Sequence, residues 1–146
     1  MKTVGEILKA KGNAVWAVSP RATVYEALEL MAEKNIGAVL VTENGRLVGI
    51  MSERDYARKV ILKGRASRDT HVRDIMTEKV AYVHPNQSAD ECLALMTDKR
   101  IRHLPVMEEE RLAGVISIGD VVKAIISDQE FVIEQLEHYI SGDVYR

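Results

Sequence analysis

The chain has 146 residues, of which 47% are hydrophobic and 29% charged, a balance typical of a globular protein rather than a disordered one. Its net charge of −2 gives no overall attraction to nucleic acids or acidic membranes. The single cysteine, Cys92, excludes an internal disulfide and a thiolate metal cluster, which fits a reducing compartment. No apolar run approaches the ~18–20 residues of a membrane span, and the N-terminus lacks the apolar core of a signal peptide. We therefore expect a cytoplasmic protein.

The first half of the chain predicts a strand, a helix, a hairpin and a second helix. Thr23 and Glu26 form a capping-box pattern at the first helix start, and Asn44-Gly45 is a strong signal for a hairpin turn. The predicted elements are an opening apolar segment (4–8), a strand (15–18), a helix (23–35), a strand buried on both faces (36–41), a return strand (47–51) and a helix from Ser52 to about Leu62.

The second half predicts the same elements after a polar linker at residues 64–71. We expect a further helix after Ile126, capped by Ser127 or Asp128 and stopped at Ser141-Gly142, whose apolar stripe would pack or dimerise. The predicted elements are an opening segment (72–76), a strand (80–83), a helix from Ser88, a strand (101–106), a return strand (112–116) and a helix from Ser117.

An internal repeat explains this similarity. Residues 18–62 align with 83–127 without a gap at an offset of 65, and the opening segments correspond at an offset of 68. We therefore expect a mixed α/β (α+β) fold made of two β-α-β-β-α repeats related by a pseudo-twofold axis, plus a C-terminal helix. The predicted divisions are a first repeat (1–63), a linker (64–71), a second repeat (72–127) and a C-terminal helix and tail (128–146).

One motif recurs in both copies, Gly-apolar-apolar-Ser-x-x-Asp, at residues 49–55 and 114–120. A strand that leads into a capped helix start gathers free N–H groups and a positive dipole end, which is a natural seat for phosphate. An ionised carboxylate repels phosphate but is well suited to accept hydrogen bonds from two hydroxyls. The alternative is that each Ser–Asp pair is only a capping box, worth about 1 kcal/mol.

Paired β-α-β-β-α units that each carry this motif resemble a tandem pair of CBS (cystathionine β-synthase) domains over about residues 4–127. The stretch 52–59 is similar to that of small stand-alone members of the family from bacteria and archaea. The resemblance implies a non-catalytic sensor that binds an adenosine-containing ligand (AMP, ADP, ATP, NAD or S-adenosylmethionine) in the cleft between the repeats. It also implies a homodimer, transmission of the bound state to a partner protein, and no catalytic cofactor.

The resemblance further implies which residues bind the ligand. Asp55 and Asp120 would accept hydrogen bonds from the ribose hydroxyls. Ser52 and Ser117, with the backbone N–H groups that follow them, would hold phosphate, with Arg54 as the nearest basic contact. Adenine would lie against residues of the first strands, namely Val15, Trp16, Val80 and Ala81. The second strands and their approaches would supply further contacts, from Gly37, Ala38, Arg102, His103, Leu104 and Pro105, with Arg102 and His103 toward phosphate.

The two copies are not chemically equal. The second has Ile118-Gly119 where the first has Glu53-Arg54, so its helix start lacks a basic residue. The first has Gly37-Ala38 where the second has Arg102-His103. Pro105 predicts a strand at the edge of its sheet, because proline has no N–H to donate to a neighbouring strand.

Other functions remain as alternatives. The chain could be a structural dimerisation module without a physiological ligand, in which case Trp16 and His103 would be ordinary packing residues. An enzyme is disfavoured because neither Ser–Asp pair has a histidine with a triad rationale. The basic stretch over residues 54–73 favours nucleic acid only weakly against the net charge. The histidines show no metal-ligand spacing, so we predict no metal site.

Overall fold

The computed structural model describes residues 1–141 of the chain; Gly142, expected to stop the last helix, lies outside the described residues. None of the helices within that range is both long enough and apolar enough to span a membrane. The cytoplasmic location stays a prediction. The helices and strands are α1 (Val4–Lys11), β1 (Ala17–Val18), α2 (Val24–Lys34), β2 (Ala38–Glu43), β3 (Arg46–Ser52), α3 (Glu53–Lys59), α4 (Ala89–Lys99), β4 (His103–Glu108), β5 (Arg111–Ser117) and α5 (Ile118–Ser141), with short 3-10 turns at Ile61–Lys63 and Val72–Asp74.

The predicted order of elements is confirmed apart from the strand expected at 80–83, which does not form in the described residues, and two helices differ from their predicted extents. The helix from Ser52 ends at Lys59 and is followed by a separate 3-10 turn. The break expected before a C-terminal helix is wrong, because α5 runs without interruption through Ser127 and Asp128. These two side chains do not cap a new helix. The Asp128 carboxylate accepts a hydrogen bond from the Lys2 backbone N–H at 2.8 Å, and Ser127 Oγ accepts one from Lys2 Nζ at 3.3 Å.

The chain forms two compact units whose boundaries differ from those of the sequence repeats. The Asp55 unit comprises Ala14–Ala81 with Glu110–Leu112, and the Asp120 unit comprises Met1–Asn13, Tyr82–Glu109 and the described residues from 113 onward. The opening segments are therefore exchanged: α1 belongs to the unit that holds the second motif, and residues 72–76 belong to the unit that holds the first.

The glycine of each motif makes room for the exchanged segment. A Cβ on Gly49 would lie 2.6 Å from Met76 Sδ and 3.0 Å from the Thr77 carbonyl oxygen, and a Cβ on Gly114 would lie 2.8 Å from Leu8 Cδ2. Leu8 and Met76 occupy equivalent positions in the two opening segments. At each glycine, an opening segment therefore packs directly on the backbone of a strand. This packing places the residues that follow the opening segment near the end of that strand, where the motif lies.

In the Asp55 unit, a three-stranded sheet has the order β1-β2-β3, with β1 parallel and β3 antiparallel to β2. Apolar residues of β2 and β3 pack on the inner face of α2; the buried set includes Val24, Ala27, Met31, Val39, Val41 and Met51. The predicted capping box of α2 is confirmed, and the helix ends at Asn35 with a left-handed φ of 54°.

The predicted linker is an ordered part of the Asp55 unit. The backbone N–H of Val24 donates to the Thr70 carbonyl at 2.8 Å, and that of Tyr25 donates to the Ser67 carbonyl at 3.0 Å. The Thr70 side chain is buried and donates to the Ala66 carbonyl at 2.8 Å. These bonds satisfy N–H groups that the first turn of a helix otherwise leaves unpaired, which is why this polar stretch folds against α2.

In the Asp120 unit, β4 and β5 form a hairpin, and Val83 makes a single parallel bridge to Val106 in place of the predicted strand at 80–83. The proline accounts for the difference. In the first copy Leu40 donates its N–H to the Trp16 carbonyl at 3.1 Å, whereas Pro105, at the equivalent position, has no N–H to donate. Among the described residues this sheet consists of β4 and β5, so Pro105 lies on an edge strand as expected, and beside it the Pro105 carbonyl accepts a hydrogen bond from the Val83 N–H at 3.0 Å.

Candidate functional site

Each unit places its motif at a corner where a strand turns into a helix. In the Asp55 unit this corner joins β3 to α3, and Ser52 caps the helix. The Asp55 N–H donates to Ser52 Oγ at 3.1 Å, and the Ser52 N–H donates to Asp55 Oδ2 at 2.9 Å. Ser52 Oγ also donates to Asp55 Oδ2 at 3.1 Å. The predicted capping box is therefore confirmed, with the carboxylate folded back onto the serine.

The second carboxylate oxygen of Asp55 is bound by two other side chains. Lys59 Nζ lies 3.1 Å from Asp55 Oδ1, and Thr77 Oγ1 donates to the same oxygen at 3.4 Å. Lys59 Nζ also donates to the Ile75 carbonyl at 2.9 Å. Ile75 lies in the exchanged opening segment and Thr77 directly follows it, so these contacts bind that part of the chain directly to the motif.

In the Asp120 unit the equivalent corner joins β5 to α5. The Asp120 N–H donates to Ser117 Oγ at 3.2 Å, and the Ser117 N–H donates to Asp120 Oδ2 at 2.8 Å. Lys11, from the end of α1, donates to Asp120 Oδ2 at 2.6 Å and to the Val115 carbonyl at 2.7 Å. A lysine therefore pairs with the carboxylate in each unit, but the two lysines come from different elements.

The surroundings of Asp120 keep its carboxyl ionised at neutral pH. Burial raises the pKa of this group, but the hydrogen bond from Lys11, the Ser117 backbone N–H and the charge of Lys11 lower it, and the net pKa lies below the ordinary value. An ionised carboxylate is an acceptor only, so the corner can bind hydroxyl or N–H donors. The adjacent ammonium supplies a positive charge that the second motif itself lacks.

The first backbone N–H of each motif helix is already used. Glu53 donates to the Gly37 carbonyl at 3.0 Å, and Ile118 donates to the Arg102 carbonyl at 2.8 Å. The residues that approach β2 and β4 are thereby brought next to the helix starts, and Ala38 lies directly opposite Ser52 in the sheet register. A phosphate at either corner would depend on the later N–H groups and the serine hydroxyl rather than on this first N–H.

Trp16 lies beside the corner-forming sheet of the Asp55 unit. Its side chain is 40% exposed, and Lys34 Nζ lies 4.3 Å from the centre of its ring. This distance is short enough for a cation–π contact. The ring therefore already has a cationic neighbour on one face, while its carbonyl joins the strand ladder through Leu40.

The predicted ligand contacts divide between the two units. Leu104 and Pro105 are buried, which leaves their backbone groups as their means of contact, while Arg54 and Arg102 are exposed. Their roles in binding stay predictions. The Asp55 unit holds Val15, Trp16, Gly37, Ala38, Ser52, Arg54, Asp55, Val80 and Ala81, and the Asp120 unit holds Arg102, His103, Leu104, Pro105, Ser117 and Asp120.

Two residues at the corners, Lys11 and Thr77, were not predicted from the sequence, and Lys59 was expected only as one of the basic residues at 54–73. Lys59 carried a usable signal, since it follows Asp55 by four residues on one helix and such pairs face each other. Lys11 and Thr77 carried none, because each lies in or just after an opening segment that packs on the motif of the other copy.

Comparisons with known proteins agree on one family. A family model for the CBS domain matches residues 4–62 and 72–127. A solved structure of a putative signal-transduction protein with CBS domains from Burkholderia ambifaria is 54% identical, with a TM-score of 0.85, and the match covers 88% of this chain and 96% of that one. CBS domain-containing protein CBSX3, mitochondrial, from Arabidopsis thaliana is 40% identical over 150 residues, covering 96% of this chain and 72% of that protein.

A more distant structure contains ligands. It is a CBS domain pair in complex with 5′-methylthioadenosine and S-adenosyl-L-methionine, with a TM-score of 0.76, covering 88% of this chain and 98% of that one. At 22% identity it supports the similarity of fold alone.

Proposed function

This chain belongs to the CBS domain family as a tandem pair, and we propose that it is a non-catalytic regulatory module that binds an adenosine-containing ligand and passes the bound state to a partner protein. The proposed ligands are AMP, ADP, ATP and NAD, which share the adenosine group. S-adenosylmethionine shares the same group and is the alternative ligand.

The observation that carries this proposal is the pairing of an ionised carboxylate with an ammonium group at a helix start. Asp120 and Lys11 lie 2.6 Å apart where β5 leads into α5. The carboxylate can accept hydrogen bonds from sugar hydroxyls, while the ammonium and the helix dipole favour an anionic group nearby. A nucleotide presents both chemistries within one molecule, whereas a simple anion or a neutral sugar presents only one.

The helix that begins at this corner offers a route for transmission. Helix α5 extends from Ile118 to Ser141, and at ~1.5 Å per residue its exposed end lies about 30 Å from Asp120. Large apolar side chains along that end are exposed: Phe131, Val132, Ile133, Leu136, Tyr139 and Ile140. A patch of this kind marks an interaction surface, and we assign it to a second copy of the chain in a homodimer.

Ligand binding is tested by thermal unfolding of the purified protein with AMP, ADP, ATP, NAD and S-adenosylmethionine, with GTP as the matched base control. A compound that binds only the folded protein stabilises it by about 2.7 kcal/mol at a hundred times its Kd. We expect at least one adenosine compound to raise the unfolding midpoint and to be recovered unchanged by chromatography. No shift with any of the five, or an equal shift with GTP, would reject the proposal in favour of a structural module.

The dimer is tested by light scattering after size exclusion. Leu136→Asp places a charge in the apolar patch and is expected to give a monomer, whereas Gln135→Asp adds the same charge at the neighbouring exposed position and is expected to leave the dimer intact. A wild-type protein that runs as a monomer at all concentrations would remove the assignment of this patch to a second copy.

A further inference from the structure

We infer that the two corners are not equivalent: the Asp120 corner takes the ligand hydroxyls, and the Asp55 corner is closed by the chain's own side chains. This inference rests on the proposed function and adds to it the site and the number of ligands, one per chain. The glycine, serine and aspartate that both copies share would by themselves suggest two working sites, although the residues around them differ.

The first observation concerns the carboxylate oxygens. Both oxygens of Asp55 are engaged within the Asp55 unit: Oδ2 accepts hydrogen bonds from Ser52, and Oδ1 accepts one from Thr77 and forms an ion pair with Lys59. Asp120 accepts its bonds from Ser117 and Lys11 on Oδ2 alone. Within residues 1–141, Asp120 Oδ1 has no hydrogen-bond donor. A ligand hydroxyl can therefore bind Asp120 without displacing a protein group, whereas at Asp55 it must displace one.

The second observation concerns the serine hydroxyls. Ser52 Oγ donates to Asp55 Oδ2 at 3.1 Å, so its proton is already used inside the capping box. Ser117 Oγ accepts from the Asp120 N–H at 3.2 Å, and a hydrogen bond from the Ser117 side chain is among the interactions that lower the pKa of Asp120. Both serine hydroxyls are thus used inside their own capping boxes, and the difference between the two corners lies in the carboxylates.

The third observation is exposure. The Asp55 side chain is 12% exposed and the Asp120 side chain is 25% exposed. The carboxylate with the unused oxygen is therefore also the more accessible of the two. The unused carboxylate oxygen and the larger exposed fraction of the side chain both favour ligand binding at Asp120 over Asp55.

The cause is visible in two departures from the repeat. The position equivalent to Lys59 is Ala124, and the position equivalent to Thr77 is Lys9. Ala124 has no donor, and its side chain is buried in the Asp120 unit. Lys11 instead approaches from α1 and binds the oxygen that already accepts from Ser117, which leaves the other oxygen open.

The test is calorimetric titration with AMP, ATP, NAD and S-adenosylmethionine of wild type, Asp120→Asn and Asp55→Asn. We expect one equivalent per chain for wild type and a loss of affinity of at least tenfold for Asp120→Asn, because the ligand would lose a hydrogen bond to a charged group. We expect a change within about twofold for Asp55→Asn. Circular dichroism confirms folding, because Asp55→Asn also weakens a structural capping box.

A gain of binding provides the matching control. The double variant Lys59→Ala/Thr77→Val removes the two donors to Asp55 Oδ1 and reproduces the open arrangement of Asp120, so a second equivalent should bind. Two equivalents in wild type, loss of binding in Asp55→Asn with binding retained in Asp120→Asn, or no second equivalent in the double variant would overturn the inference while leaving the proposed function intact. Absence of binding by all four compounds would overturn both.

Discussion

Replacing Gly49 by alanine should weaken the fold by direct overpacking. The added Cβ would lie 2.6 Å from Met76 Sδ and 3.0 Å from the Thr77 carbonyl oxygen. The Met76 side chain can rotate away, but the Thr77 backbone cannot, because Thr77 and Ile50 exchange two backbone hydrogen bonds of 2.9 and 3.0 Å. We therefore expect a loss at the upper end of the overpacking range, about 2–3 kcal/mol.

Gly114→Ala is the internal comparison for this prediction. Its closest contact is the flexible end of Leu8, at 2.8 Å, and no backbone atom is among its three nearest neighbours. We expect a smaller loss, about 1 kcal/mol, because Leu8 can adjust its rotamer. Gly119→Ala is the neutral control, since its Cβ would meet only Ser117 Oγ at 3.6 Å and alanine favours a helix.

The assay is thermal and urea unfolding of the three variants beside wild type. For a chain of this size a loss of 2–3 kcal/mol lowers Tm by roughly 5–10 °C. Met76→Ala should relieve little of the Gly49→Ala loss, whereas Leu8→Ala should relieve much of the Gly114→Ala loss. Equal Tm values for Gly49→Ala and wild type would refute the packing of residues 76–77 on this strand.

Three further outcomes follow from the structure. Glu109 and Glu110 have left-handed φ values of 48° and 64°, and the equivalent residues of the first copy, Asn44 and Gly45, are left-handed too. Because glycine adopts this conformation without strain, Glu110→Gly should raise the free energy of unfolding in urea by about 1 kcal/mol. A loss of stability would contradict the left-handed turn. The pKa of Asp120 is lowered in the folded protein, so its stabilising contribution is present above pH ~4 and is lost as the pH falls through the folded pKa. The Tm difference between wild type and Lys11→Met should therefore shrink from pH 7 to pH 3. A difference that stays constant would show that the ion pair between Lys11 and Asp120 is not its cause. Burial, with a smaller effect of the neighbouring Glu91 charge, raises the pKa of the Cys92 thiol to about 11, so a thiol reagent at pH 8 should react only at the rate of unfolding, and fast labelling of the native protein would contradict its burial.

The repeat, the order of elements and the capping boxes could be predicted because their determinants are local. A hydroxyl three residues before a carboxylate is typical of a helix start, as Thr23 and Ser52 show. The same local logic failed at Ser127, where it predicted a helix start inside one continuous helix. Its polar side chain found a partner in Lys2, which is distant in sequence and could not be inferred from the neighbouring residues.

The candidate site could be predicted only in part, for the same reason. The serine and aspartate of each corner lie three residues apart on one helix start, and both residues and their hydrogen bonds were predicted. The donors that distinguish the corners, Lys11 and Thr77, arrive from segments more than twenty residues away, and only tertiary packing places them. An inequality of the corners was expected from Arg54 and Arg102, and the hydrogen bonds at the carboxylate oxygens add a difference that the sequence did not indicate.

Because the opening segments are exchanged, the sequence repeat and the compact unit contain the same elements in a different order along the chain. The repeat begins with an opening segment, whereas the compact unit ends with one in the Asp55 unit, so the two are circular permutants of one another. A fragment of residues 14–81 contains a strand, helix, hairpin and helix followed by the segment that packs on Gly49, all in one uninterrupted stretch. A fragment cut at the repeat boundary, residues 1–63, would instead contain α1 without the Asp120 unit on which it packs, and Gly49 without Met76 and Thr77, which pack against it. Domain dissection, fusion proteins and insertions in this chain should therefore be placed near residues 12–14 and 81–82 rather than between the repeats.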